Sequence, residues 1–118
     1  MAAPNIVGVV TITGKTVTGA LGTSTASLLQ NSASSNKVFK VNTILVSNVD
    51  GTNSATADIS LYDGTDRYIA KVITVPAGAT VVLIDKNSSL YLEENRIIRG
   101  DASAAGDLEY IISYEELS

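Results

Sequence analysis

The sequence has no histidine and no cysteine in its 118 residues. The commonest general base and the commonest thiol nucleophile are therefore missing. So are the two side chains that define zinc sites and most copper or iron sites. No disulfide can form, and a chain of this length buries enough surface to fold as one domain without one. Tryptophan is absent too, and aromatics are scarce, with five tyrosines and one phenylalanine. A core must then rest on Val, Ile and Leu, and the first two favour strands. The positive charges form no run, and the net charge is −4. Nucleic-acid binding needs clustered cations, so no nucleic-acid partner is expected. No apolar run approaches a membrane span, so no membrane partner is expected. Met1 to Asn5 has neither the basic nor the apolar region of a secretory signal.

What is present is strand grammar. No window carries a sustained helical period, whereas short β-branched runs alternate with turn residues. The runs are Ile6–Thr13 (ended by Gly14-Lys15), a weaker one within Thr16–Gln30, Lys37–Asn48, Ala57–Tyr62, Arg67–Val75, Thr80–Asp85, Leu90–Leu92, Arg96–Ala102 and Leu108–Glu115. Asn31–Asn36 and Val49–Ser54 read as polar loops, Asp63-Gly64-Thr65-Asp66 as a hairpin turn, and Pro76-Ala77-Gly78 as a further turn. Eight or nine strands at this spacing predict an all-β chain, an antiparallel β-sandwich of jelly-roll type, with an immunoglobulin-like sandwich as the alternative. Residues 1–7 are expected to form an N-terminal arm and residues 8–118 the single sandwich domain. Pro4 extends the residue before it, and Ala2, Ala3, Pro4 and Asn5 offer little apolar surface of their own.

In Lys37–Asn48, strict alternation puts Phe39, Val41 and Leu45 on one face and Val38, Ile44 and Val46 on the other. Apolar residues on both faces suggest a central strand, or one whose outer face meets another subunit; Val38, Ile44 and Val46 are the candidate interface of an expected homo-oligomer.

Each candidate for chemistry has a plainer reading. Gly14-Lys15-Thr16 resembles the end of a phosphate-binding loop, but position 9 is Val where that motif needs glycine, and a hairpin turn is the ordinary account. Asp50-Gly51-Thr52-Asn53 and Asp63-Gly64-Thr65-Asp66 place oxygens on loops, with too few carboxylates for a calcium loop. Glu93-Glu94 and Glu115-Glu116 are adjacent acids, which a strand would point to opposite faces. Arg99-Gly100-Asp101 falls within a strand, where a glycine more often marks a bulge or a close backbone approach. Asn87-Ser88-Ser89 fits a glycosylation sequon. A serine nucleophile would need a lysine base, and Lys15, Lys37, Lys40, Lys71 and Lys86 all sit in polar or turn contexts. The chain is read as a non-enzyme with no catalytic residue, no metal and no cofactor.

Several segments resemble small virion structural proteins of tailed bacteriophages, especially those of marine cyanobacterial phages. They are Ala2-Ala3-Pro4-Asn5-Ile6-Val7, Ile12-Thr13-Gly14-Lys15-Thr16, Val46-Ser47-Asn48-Val49-Asp50-Gly51-Thr52, Val75-Pro76-Ala77-Gly78-Ala79-Thr80, Leu90-Tyr91-Leu92-Glu93-Glu94 and Ser113-Tyr114-Glu115-Glu116-Leu117-Ser118. Such proteins usually carry Gly-Asp after the acidic pair; this chain has Asn95-Arg96, and Asn tolerates the left-handed turn. The resemblance implies a virion location and a structural part. A capsid decoration or cement protein bound to the major capsid protein is the first expectation. A neck, tail or baseplate protein is the second, with Asn31–Asn36 and Val49–Ser54 forming a host-contact rim. A carbohydrate-binding or carboxylate-based glycan-hydrolysing module is the third.

Overall fold

Tertiary pairing, more than local propensity, decides where the first strand lies. The computed structural model describes residues 5–118. Ile6–Gly8, expected to open a strand, forms a 3-10 turn whose first donor, the Val7 N–H, is capped by the Asn5 side chain at 2.9 Å. The strand itself, β1, runs Ile12–Ala20, straight through the Gly14-Lys15 step expected to end it. Two glycines make it intrinsically weak. It is held by an unbroken antiparallel register with Leu108–Leu117, from Ile12 opposite Leu117 to Ala20 opposite Glu109. A Cβ at Gly19 would stand 2.7 Å from the Tyr110 hydroxyl, so a larger residue there would have to displace that ring.

The remaining strands are β2 (Ala26–Asn31), β3 (Val38–Asn48), β4 (Ala55–Tyr62), β5 (Asp66–Val75), β6 (Thr80–Ile84), β7 (Leu90–Leu92), β8 (Arg96–Ala102) and β9 (Leu108–Leu117). They form two antiparallel sheets, β1-β9-β3-β6 with β7 also on β3, and β2-β8-β4-β5. This is the two-Greek-key order of a jelly-roll sandwich, and it excludes the immunoglobulin-like alternative.

The core lies between the sheets and is aliphatic. Val41, Ile44, Val46, Ile59, Leu92, Ile98, Leu108 and Ile112 are fully buried. The Phe39 and Tyr114 rings pack against each other with centroids 4.9 Å apart and planes tilted by 37°. β3 corrects the expected interface. Val41 pairs with Tyr114 and Thr43 with Ser113, so Asn42 is an extra residue bulged out of the ladder, its amide donating to Glu115 at 3.0 Å. A bulge shifts the two-residue period by one. Ile44 and Val46 therefore return to the same inner face as Phe39 and Val41. Both have no exposed surface, and Val38 keeps 6%. Ile44 and Val46 belong to the core and cannot form a subunit interface; the outward residue on this stretch is Leu45.

Two asparagines organise the loops. Asn31, the last residue of β2 and not part of a free loop, is fully buried and donates to the Lys37 and Leu92 carbonyls at 2.9 Å each. Asn48 donates to the Asn53 and Val75 carbonyls at 2.9 and 3.0 Å and accepts from the Asp50 N–H. Buried amides satisfied in this way fix loop geometry. The two loops sit at opposite ends of β3, so they cannot form one contact rim.

Candidate functional site

Two regions gather polar and aromatic side chains. The first is a groove of about 610 Å³ at one end of the sandwich, lined by Asn5, Ile6, Val38, Tyr91, Glu93, Glu94 and Arg96. Glu93 and Glu94 lie in the turn between β7 and β8, not in a strand, and both face this groove. Asn95 holds the turn with φ +61°, the left-handed conformation expected of it. Glu94 is committed: its carboxylate accepts the Asn36 N–H at 3.0 Å. Asn5, the described end of the expected arm, borders the groove, and Ile6 beside it is half exposed. Ala2, Ala3 and Pro4 lie outside the described residues.

The second region is the outer face of the β2-β8-β4-β5 sheet. Arg99 on β8 makes a bidentate pair with Asp66 on β5, at 2.7 and 2.8 Å. Ser60 on β4 donates to the same carboxylate at 2.9 Å. The Arg99 guanidinium also stacks on Tyr62, 3.9 Å from the ring centroid. Next to it, the Lys71 ammonium lies 4.3 Å over Tyr68 and 3.7 Å from Asp58. The Asp66 carboxyl is held at about 2, chiefly by the Arg99 hydrogen bond, with desolvation opposing and Ser60 assisting. Arg99 is shifted up by the same bond. Aromatics are scarce in the sequence, yet strand pairing brings Tyr62 and Tyr68 to one face. The Tyr62–Asp66 pair flanking the turn is legible as a hairpin, but Arg99 joins only through the β4–β8 register, which no local pattern shows.

The other candidates resolve individually. Gly14-Lys15-Thr16 is strand interior, not a turn, and Lys15 pairs with Glu116 at 3.1 Å. Glu116 also meets Lys37 at 3.4 Å, whereas Glu115 points to Asn42, so this acidic pair diverges as strand alternation requires. Burial works against the Glu116 charge, but the two lysines prevail and its carboxyl titrates below the usual range. Asp50 accepts the Thr52 and Asn53 N–H groups at 2.8 and 3.2 Å, which lowers its pKa and closes the turn. Asp63 accepts the Thr65 N–H while Asp66 turns to Arg99, so the two do not converge. Among the described residues no three acids are grouped to hold a metal. Asn87 sits in a turn closed by Asp85.

Arg99-Gly100-Asp101 lies within β8, and its ends are occupied by Asp66 and by Thr25, which donates to Asp101 at 2.6 Å. Gly100 marks a close approach: a Cβ would stand 2.6 Å from both the Asp58 carbonyl oxygen and the Ile59 Cδ1.

No protein-family model matches the chain, and no characterised protein matches it in sequence.

Proposed function

We propose that this protein is a structural component of a tailed-bacteriophage virion, a decoration or cement protein that binds the assembled capsid and reinforces it. The observation that carries the reading is the jelly-roll strand order, an architecture that viral capsid domains use. Fold alone does not assign function. The disposition of the charged groups adds support. The carboxylates at Asp50, Asp58, Asp66, Asp101, Glu94, Glu115 and Glu116 are each tied to a turn amide, a side-chain donor or a cation of the same chain. Side chains fixed in this way suit a surface that docks without reacting. The segments similar to phage virion proteins point to the particle.

A cement protein binds the assembled lattice and not the free subunit, so it raises the melting temperature of the shell by mass action. The test is the composition of purified particles. The chain should co-fractionate with heads after heads and tails are separated, in multiples set by capsid symmetry. Absence from particles, or co-fractionation with tails, would overturn the decoration reading; the latter result would favour a neck, tail or baseplate part.

One observation favours a second reading, a glycan-binding module: Tyr62 and Tyr68 share an outer sheet face with Arg99 and Lys71. Binding to a glycan array, abolished by Tyr68→Ala, is its test. No binding to any glycan removes it.

A further inference from the structure

The open edge of β1 differs from every other strand edge in the described residues. β5 carries two register shifts against β4 and a left-handed residue, Val72 at φ +50°. β2 is six residues long and interrupted by a shift between Ser27 and Leu29. On the far side of the first sheet, β6 and β7 are separated by the Asp85–Ser88 turn. Such bulges and breaks are how sheet edges are kept from pairing. β1 has none of them.

The hydrogen-bond phase of β1 is fixed by its ends. Thr11 and Ser118 exchange both backbone bonds at 2.9 Å, and the Leu21 N–H donates to the Leu108 carbonyl at 2.9 Å. Antiparallel pairs alternate between bonded and non-bonded. Odd-numbered residues therefore bond to β9. Ile12, Gly14, Thr16, Thr18 and Ala20 direct their N–H and C=O groups outward, where no partner within the described residues meets them. These five residues are symmetric about Thr16.

We propose that β1 pairs with β1 of a second copy, antiparallel about a two-fold axis through Thr16, to form one continuous sheet across both subunits. In this register Thr16 meets Thr16, Gly14 meets Thr18 and Ile12 meets Ala20. Each is a bonded pair exchanging two backbone hydrogen bonds. Every outward group is thereby satisfied, which no other symmetric register achieves over the full strand. A second copy presents the same five outward residues in the matching phase, and local charge does not oppose it. The chain carries net charge −4, so two copies repel over most approaches, yet Lys15 is the only charged side chain before Lys37. In the proposed register Lys15 lies opposite Val17, not opposite itself, and stays paired with its own Glu116. An isologous contact of this kind closes as a dimer and does not propagate. It also replaces the apolar-face interface that burial of Ile44 and Val46 removes, and it does not depend on the virion reading.

The test uses charge at the axis. Thr16→Lys and Thr16→Glu each place like charges directly opposite, and Thr16 is exposed with no backbone bond to β9 to lose. Sedimentation equilibrium of the wild-type chain should show a reversible monomer–dimer equilibrium. Each variant should weaken it by roughly fivefold. An equimolar mixture of the two should dimerise at least as well as wild type. Thr74→Lys on β5 should change nothing. Cooperative melting of each variant at micromolar concentration checks that it is folded. If a variant fails to fold, slower amide exchange at Thr16 of the wild type with rising concentration decides the question in its place. A wild-type chain that stays monomeric, variants that dimerise unchanged, or a mixture that stays monomeric would each overturn the proposal. A β1 edge covered instead by another protein would appear as the first of these results.

Discussion

The two long edge strands, β1 and β5, are of similar length, nine and ten residues, and opposite in construction. β1 is regular, rich in Thr and Gly, and carries one charge. β5 is bulged twice against β4, strained at Val72 and carries Asp66, Tyr68 and Lys71, which pair across the outer face of its sheet. Polar pairing on the β5 side is internal: Arg99 closes on Asp66, Lys71 on Asp58, and Asp58 also accepts the Val72 N–H at 2.6 Å. A left-handed conformation in a β-branched residue is costly and persists only where surrounding contacts impose it. One side of the molecule thus spends its chemistry on itself, and the other leaves its backbone groups free. An edge is available for assembly only if nothing in its own chain distorts it.

The largest expected effect comes from breaking the frame behind β5. Gly100→Ala forces a methyl against the Asp58 carbonyl and Ile59, both on β4. It should destabilise the fold by about 2–3 kcal/mol, read by chemical denaturation. The matching substitution in β1, Gly14→Ala, meets open space and should cost little.

Next is relief of strain. Val72→Gly accepts φ +50° freely and removes an exposed side chain, so it should stabilise the protein by about 1 kcal/mol. A loss of stability there would mean that the β5 kink is not strained.

The third is pH dependence. Asp66 ionises at about 2 in the folded protein against an ordinary value of 3.8. A depressed folded pKa gives stability that is present above the unfolded value and lost as pH falls through the folded one. The Asp66–Arg99 contribution should therefore hold down to about pH 4 and fade towards pH 2. Asp66→Asn should be less stable than wild type at neutral pH, with the gap closing over that window. The fourth effect is smaller. Lys15→Ala breaks a half-exposed pair with Glu116, which keeps Lys37, and should cost under about 1 kcal/mol.

Much of the fold was legible because turn chemistry is local. Asp63-Gly64-Thr65 closes its hairpin with Gly64 at φ +108°, Gly78 turns at φ +69°, and Asn95 takes the left-handed position assigned to it. The jelly-roll class followed from strand number and spacing. What failed was decided at a distance. Asn42 interrupts the period of β3, and nothing local in its sequence marks a bulge, so strict alternation places Ile44 and Val46 on the wrong face. Ile12–Ala20 is interrupted by Gly14 and Gly19, and it runs on as one strand because β9 pairs along all of it. The Arg99–Asp66–Tyr62 cluster joins three strands and has no linear signature.

The central claim, that β1 is an open edge built for pairing and β5 is not, is tested most directly by amide-resolved hydrogen exchange as a function of protein concentration. The account predicts that Gly14, Thr16 and Thr18 exchange quickly in dilute solution and slow as concentration rises, while β5 amides do not change. Concentration-independent exchange at Thr16, or protection that grows in β5 instead, would contradict it.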